Sequence, residues 1–248
     1  MENTASKYRN LDPDKIKETV RALHERIEAR FPGSGLGKVV GELSEVAQET
    51  VARTEWIQRP HKLLRFAAVL LSVSIIGLVV GMVTHIHQFR FDDYTNFSQS
   101  LDATIGSVVF IGAAMLFLIN WENRIKRERA LKAVHELRAL AHIVDMHQLT
   151  KQPEGCFREA QPGLPVQGRV MTPFDLNRYL DYCSDSLALI SKVAALYVQG
   201  FQDTVVLDAV DDVEDLTAGL SRKIWQKIIV LENLRQALGG SGTKREIP

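Results

Sequence analysis

Two stretches of the chain have no charged residue and almost no polar one. Phe66 to Val83 contains only Ser72 and Ser74 as polar side chains, and Ala103 to Ile119 only Thr104 and Ser107. At about 1.5 Å of rise per residue, each comes close to the roughly 30 Å of a bilayer's hydrocarbon core. A buried core helix is the competing explanation, but two charge-free runs so close together favour membrane spans. The expectation is a two-span hairpin: 63–86, an external linker 87–102, and 103–121.

Outside the spans the apolar positions recur at helical spacing. Asp12-Pro13 marks a helix start, and Ile16, Val20, Leu23, Ile27 and Phe31 follow at steps of four, three, four and four. Pro32 to Gly35 interrupts the stripe, which resumes with Leu36, Val40, Leu43 and Ala47. Region 1–62 therefore reads as a helical hairpin.

After the second span, Ala130, Val134, Leu137, Ala141 and Val144 keep a 4-3-4-3 seam. No breaker lies between Trp121 and Thr150, so the helix is expected to continue out of the membrane. A Pro/Gly-rich loop follows at about 151–171. Thr172-Pro-Phe-Asp175 then has the form of a capping box. Leu176, Leu180, Cys183, Leu187, Ile190, Ala194 and Tyr197 form the next seam, which Gly200 ends.

A last helix starts near Asp203, with Val206, Ala209, Val213, Leu216, Leu220, Ile224, Leu231 and Leu238 on its apolar face. Gly239 to Gly242 ends it, and 239–248 reads as a disordered tail. No segment reads as a strand. The fold class is all-α, with region 122–238 a helical or coiled-coil domain that joins the N-terminal hairpin in one cytoplasmic bundle. That bundle is expected to rest on seams rather than on a wide core.

Charge sets the orientation. Arg53, Arg59, Lys62 and Arg65 precede the first span, and Arg124, Lys126, Arg127, Arg129 and Lys132 follow the second. The linker carries Arg90 against Asp92 and Asp93. The positive-inside rule then places both termini in the cytoplasm of a multi-pass cell-membrane protein. Trp56 and Trp121 suit interfacial anchors at the inner ends, with Phe89, Phe91, Tyr94 and Phe97 at the outer side. Gly77 and Gly81, four apart, offer a helix-packing face, and Ala103, Gly106, Ser107 and Gly112 add small positions. Residues 1–35 are polar and contain several acids, unlike a cleaved signal or a transit peptide.

Composition narrows the classes. Thirty Lys and Arg balance thirty Asp and Glu, so no basic excess points to nucleic acid. Two cysteines, Cys156 and Cys183, make no disulfide framework and read as reduced thiols.

The densest set of potential ligands is His135, Arg138, His142, Asp145 and His147. His142 and Asp145, at i and i+3, suit a divalent metal shared with another helix, although Arg138 in the same stripe repels a cation. A solvated or hydrogen-bonding face is the plainer explanation. Asp208, Asp211, Asp212, Glu214 and Asp215, followed by Arg222, Lys223 and Lys227, suit the helix macrodipole better than a cation site. No phosphate loop, nucleophile elbow, dinucleotide fingerprint, HExxH or CxxC is present.

The expected function is an oligomeric, membrane-anchored scaffold or signalling protein without a catalytic site. Its expected partners are the bilayer, a second copy of itself and a cytoplasmic protein. Val134, Leu137, Ala141, Val144, Leu180 and Leu187 would form the oligomer or bundle seam. One alternative is an oligomeric channel or membrane-permeabilising effector, lined by Ser72, Ser74, Ser107 and Asn120. A further alternative is a metal-dependent cytoplasmic module. No cofactor is expected apart from a divalent metal at the His/Asp stripe.

Overall fold

A computed structural model of the 248-residue chain describes residues 10–58, 62–87, 94–157, 171–199 and 201–240. These residues are all-α, with no strand among them. The helices are α1 (Pro13–Arg30), α2 (Gly35–Gln58), α3 (Lys62–His87), α4 (Tyr94–Leu149), α5 (Pro173–Gln199) and α6 (Thr204–Gly240), with a 3-10 helix at Pro153–Cys156. The chain divides into two compact units: Met1–Gln58 with Ala130–Pro248, and Arg59–Arg129.

In the first unit α1 begins as its sequence requires. The Asp12 carboxylate accepts hydrogen bonds from the backbone N–H groups of Asp14 (3.1 Å) and Lys15 (3.3 Å), while Pro13 occupies the position that needs no donor. Ile16, Val20, Leu23 and Ile27 are buried. The break falls at Gly33, whose φ of +68° is the left-handed conformation that a side chain would strain. Ser34 Oγ then accepts from Gly37 N at 3.1 Å and starts α2, which buries Leu36, Val40, Leu43 and Ala47.

Helix α5 is the centre of this unit. Besides the expected seam it buries Tyr179, Ser186, Leu189, Val193 and Leu196. At about 100° per residue these positions cover an arc of about 200°. This corrects the expectation of a bundle built on narrow seams. α5 is enclosed by α1, α2, α6 and the 3-10 helix, so it needs apolar residues on more than one face.

α1 runs antiparallel along α5. At one end Leu11 N–H donates to Gln199 Oε1 (3.0 Å) and Gln199 Nε2 donates to Leu11 O (3.1 Å); at the other Arg30 pairs with Asp175 at 2.8 Å. The Tyr197 hydroxyl lies 2.9 Å from Thr50 Oγ1, which donates its own proton to Val46 O at 2.6 Å. Tyr197 is therefore the donor, and its bond ties α5 to α2.

The sequence places the apolar face of α6 slightly off. Val210 and Thr217 are buried where Ala209 and Leu216 are only partly so, and Leu238 is 56% exposed. The true seam is Val206, Val210, Val213, Thr217, Leu220, Ile224, Lys227, Leu231, in strict alternation of four and three. Val134, Leu137, Ala141, Val144, Leu180 and Leu187 all belong to the buried core. These seam residues are thus buried within the one chain.

The other unit holds α3 and α4 up to Arg129. Among the described residues one stretch, within Ile105–Leu149, is long and apolar enough to cross a membrane by length and composition. The corresponding stretch of α3, Val69–Gly81, is shorter. Both expose large apolar side chains, including Leu70, Val73, Ile76, Val109, Phe110 and Phe117. α4 starts at Tyr94, inside the region expected to be linker, because no Pro or Gly occurs before Gly106. Phe89, Phe91, residues 158–170 of the expected loop, Gly200 and 241–248 of the expected tail lie outside the described residues. So do the side chains of Trp56 and Phe97.

Candidate functional site

The last turn of α4 leaves backbone carbonyls without intrahelical partners, as every helix end does. Lys227, the one charged residue in the α6 seam, reaches them. Its ammonium donates to Gln148 O at 2.8 Å and lies 3.5 Å from Lys151 O. The Gln148 side chain is buried; its Nε2 donates to Asp145 Oδ1 at 2.6 Å, and its Oε1 has no hydrogen-bond partner among the described residues. Lys151 Nζ stands over the Tyr179 ring, 5.6 Å from its centroid.

Burial pulls the Lys227 pKa down, while Asp145, Cys183 and Glu154 pull it up by less. Burial likewise pushes the Cys183 thiol up to about 12, against the opposing pull of Lys227 and Lys151. Cys156 is raised for the same reason. Burial thus favours the thiol form at both cysteines. The cluster caps a helix and fills a polar gap in the core. Its signal in the sequence is a lysine at an apolar heptad position.

The His/Asp stripe does not converge. His135 and His142 are exposed. His147 lies against Gly35, where an added Cβ would overlap its ring. Asp145 is occupied by Gln148. Among the described residues no group of three or more His, Cys, Asp or Glu side chains is placed to hold a metal. Arg138 turns toward α6 and approaches Asp212 at 3.6 Å.

In the second unit an added Cβ at Gly77 or Gly81 would meet nothing within 4 Å among the described residues. Trp121 is half-exposed, with its ring 5.6 Å from that of Phe117. Lys126 pairs with Glu122 at 2.8 Å.

At the start of α5 the Thr172 hydroxyl donates to Asp175 Oδ2 (2.7 Å) while Asp175 N–H donates to Thr172 Oγ1 (3.1 Å). The Thr172 bond, and after it Arg30, hold the Asp175 carboxyl below the usual carboxylate range. A carboxyl whose pKa is lower folded than unfolded stabilises fully above its unfolded value and loses that stabilisation as pH falls through the folded one. The α1–α5 link is therefore expected to weaken below about pH 4. Thermal melts at descending pH check this: Asp175→Asn should flatten the acid slope, and an unchanged slope would remove Asp175 as its source. The effect is small, because the pair is about one-third exposed and solvent screens it.

The bundle's exterior carries large apolar side chains that sequence patterning did not single out: Met146 and Leu149 on α4, Phe174 on α5, and Leu207, Trp225 and Ile229 on α6. Of these, Phe174 is stacked by Arg30, 5.0 Å from the ring centroid. No protein-family model, curated protein or solved structure matches the chain.

Proposed function

We propose that this chain is a two-span membrane protein with both polar regions in the cytoplasm, and that its helical bundle is an oligomeric scaffold or signalling module. One observation carries the membrane part. The bundle buries its aliphatic residues and keeps its charges outside, whereas α3 and α4 up to Trp121 expose large apolar side chains. Phe110 is 81% exposed, Phe66 68%, Val109 65% and Leu116 65%. Water penalises such surface at roughly 25 cal/mol per Å², and hydrocarbon does not. The arrangement of Lys and Arg around the two apolar segments supports cytoplasmic termini.

The interaction role is supported by large apolar side chains exposed on one helix of the bundle, Leu207 (46%), Trp225 (59%) and Ile229 (55%) of α6.

Alkaline extraction of membranes tests the anchoring: the chain is expected to stay in the pellet. Single cysteines test the topology in a Cys156→Ser background. An impermeant maleimide should label Ser98→Cys in intact cells, and Ser241→Cys only after lysis. Release into the supernatant would remove the membrane reading, and labelling of both positions in intact cells would remove the proposed topology.

A further inference from the structure

α6 has two faces, and among the described residues only one is packed within the chain. Its seam packs into the core, and α4 reaches its flank through Arg138–Asp212 (3.6 Å) and Lys227–Gln148 (2.8 Å). The outer face carries Leu207, Asp211, Glu214, Ala218, Arg222, Trp225 and Ile229 at steps of four, three, four, four, three and four. At about 100° per residue these seven fall within an arc of about 80°, centred about 130° around the helix from the seam. All are exposed, with Leu207 at 46%, Trp225 at 59% and Ile229 at 55%. Among the described residues neither Glu214 nor Arg222 makes an ion pair.

This face is symmetric about Ala218. Glu214 and Arg222 lie four residues to either side of it, Asp211 and Trp225 seven, and Leu207 and Ile229 eleven. We infer that α6 pairs antiparallel with α6 of a second copy, with Ala218 on the two-fold axis. Each residue then meets a complement. Leu207 packs on Ile229 of the second copy, and the Asp211 carboxylate accepts from the Trp225 indole N–H. Glu214 pairs with Arg222, and the two Ala218 methyl groups allow close approach of the backbones.

Every contact off the axis occurs twice, as an isologous interface requires. A parallel pairing in register would instead set Asp211 against Asp211, Glu214 against Glu214 and Arg222 against Arg222. The acidic first half and basic second half of the outer face therefore select the antiparallel partner, in the way charged flanks select coiled-coil partners.

The inference deepens the self-association in the reading above and rests on it. The test uses the full chain in detergent, where no bilayer adds a geometric constraint of its own. In a Cys156→Ser background, Ala218→Cys should give a disulfide-linked dimer on mild oxidation. Leu207→Cys with Ile229→Cys should crosslink, and Ile229→Cys alone should not. Arg222→Glu should weaken the dimer about tenfold, from two lost pairs and two repulsions, and Glu214→Arg with Arg222→Glu should restore it. The substituted side chains are on the surface, so circular dichroism should be unchanged.

Self-crosslinking of Ile229→Cys, or failure of the charge swap to restore the dimer, would overturn the antiparallel pairing. A dimer in native mass spectrometry that neither crosslinks at 218 nor responds to Arg222→Glu would keep self-association and remove this face. A monomer throughout would remove both.

Discussion

Ile190→Ala is expected to destabilise the bundle by about 2–5 kcal/mol, the range for a large aliphatic side chain truncated in a packed core. Ile190 is fully buried, as are its α5 neighbours Leu187, Val193 and Ala194. α5 is held from several sides at once, by α1, α2 and α6. A void at Ile190 cannot close by a shift of one helix without opening another contact, which places the site toward the upper part of that range. In a unit of this size, each 1 kcal/mol moves the midpoint by about 2–4 °C, so a fall in Tm of about 10 °C is expected. Thermal melts followed by circular dichroism check it. A loss under about 1 kcal/mol would mean that α5 is not the central helix. Met146→Ala serves as the comparison, because Met146 is 61% exposed on α4 and should change Tm little.

Phe110→Arg should prevent the second span from inserting. On a helix facing water, replacing an 81% exposed phenylalanine by arginine changes stability by no more than about 0.5 kcal/mol. At the centre of a spanning helix arginine costs roughly 2.5–3.5 kcal/mol on insertion scales, and the phenylalanine's favourable contribution is lost as well. With the first span still in place, a C-terminal tag should move from the cytoplasmic to the external side. Protease protection of that tag in intact cells reads the outcome. Met146→Arg, which places the same charge at an exposed apolar position on the bundle, should leave the tag in the cytoplasm. If Phe110→Arg also left the tag position unchanged, the apolar surface of α4 would have to be covered by protein rather than lipid.

Much of this molecule was legible along the chain because helices announce themselves locally. Asp12-Pro13 and Thr172-Pro173 supply start signals that depend only on the next three residues, and both caps form. Gly33 marks the turn between α1 and α2 because the chain there needs a left-handed residue. The four-three spacing of Ile16 to Ile27 and of Leu180 to Ile190 identified which side of each helix is buried, since burial on one side is a property of period. The two charge-free runs needed only a window and a charge count.

What the tertiary structure decided is what depends on neighbours distant in sequence. Periodicity says that α5 has an apolar face; only packing shows that three other helices wrap it, so that Leu189 and Leu196 are also buried. Lys227 looked like one of several basic residues near a helix end. Its role as the cap of α4 depends on bringing together residues 79 positions apart. The histidines looked like a cluster because they are close along one helix. In the fold His135 and His142 face solvent while His147 is packed on Gly35, surroundings that spacing along one helix does not reveal. The outer face of α6 carried no local signal of its own. Its mirror arrangement about Ala218 acquires meaning only once the core is known to lie along a different side of the helix, leaving that arc exposed.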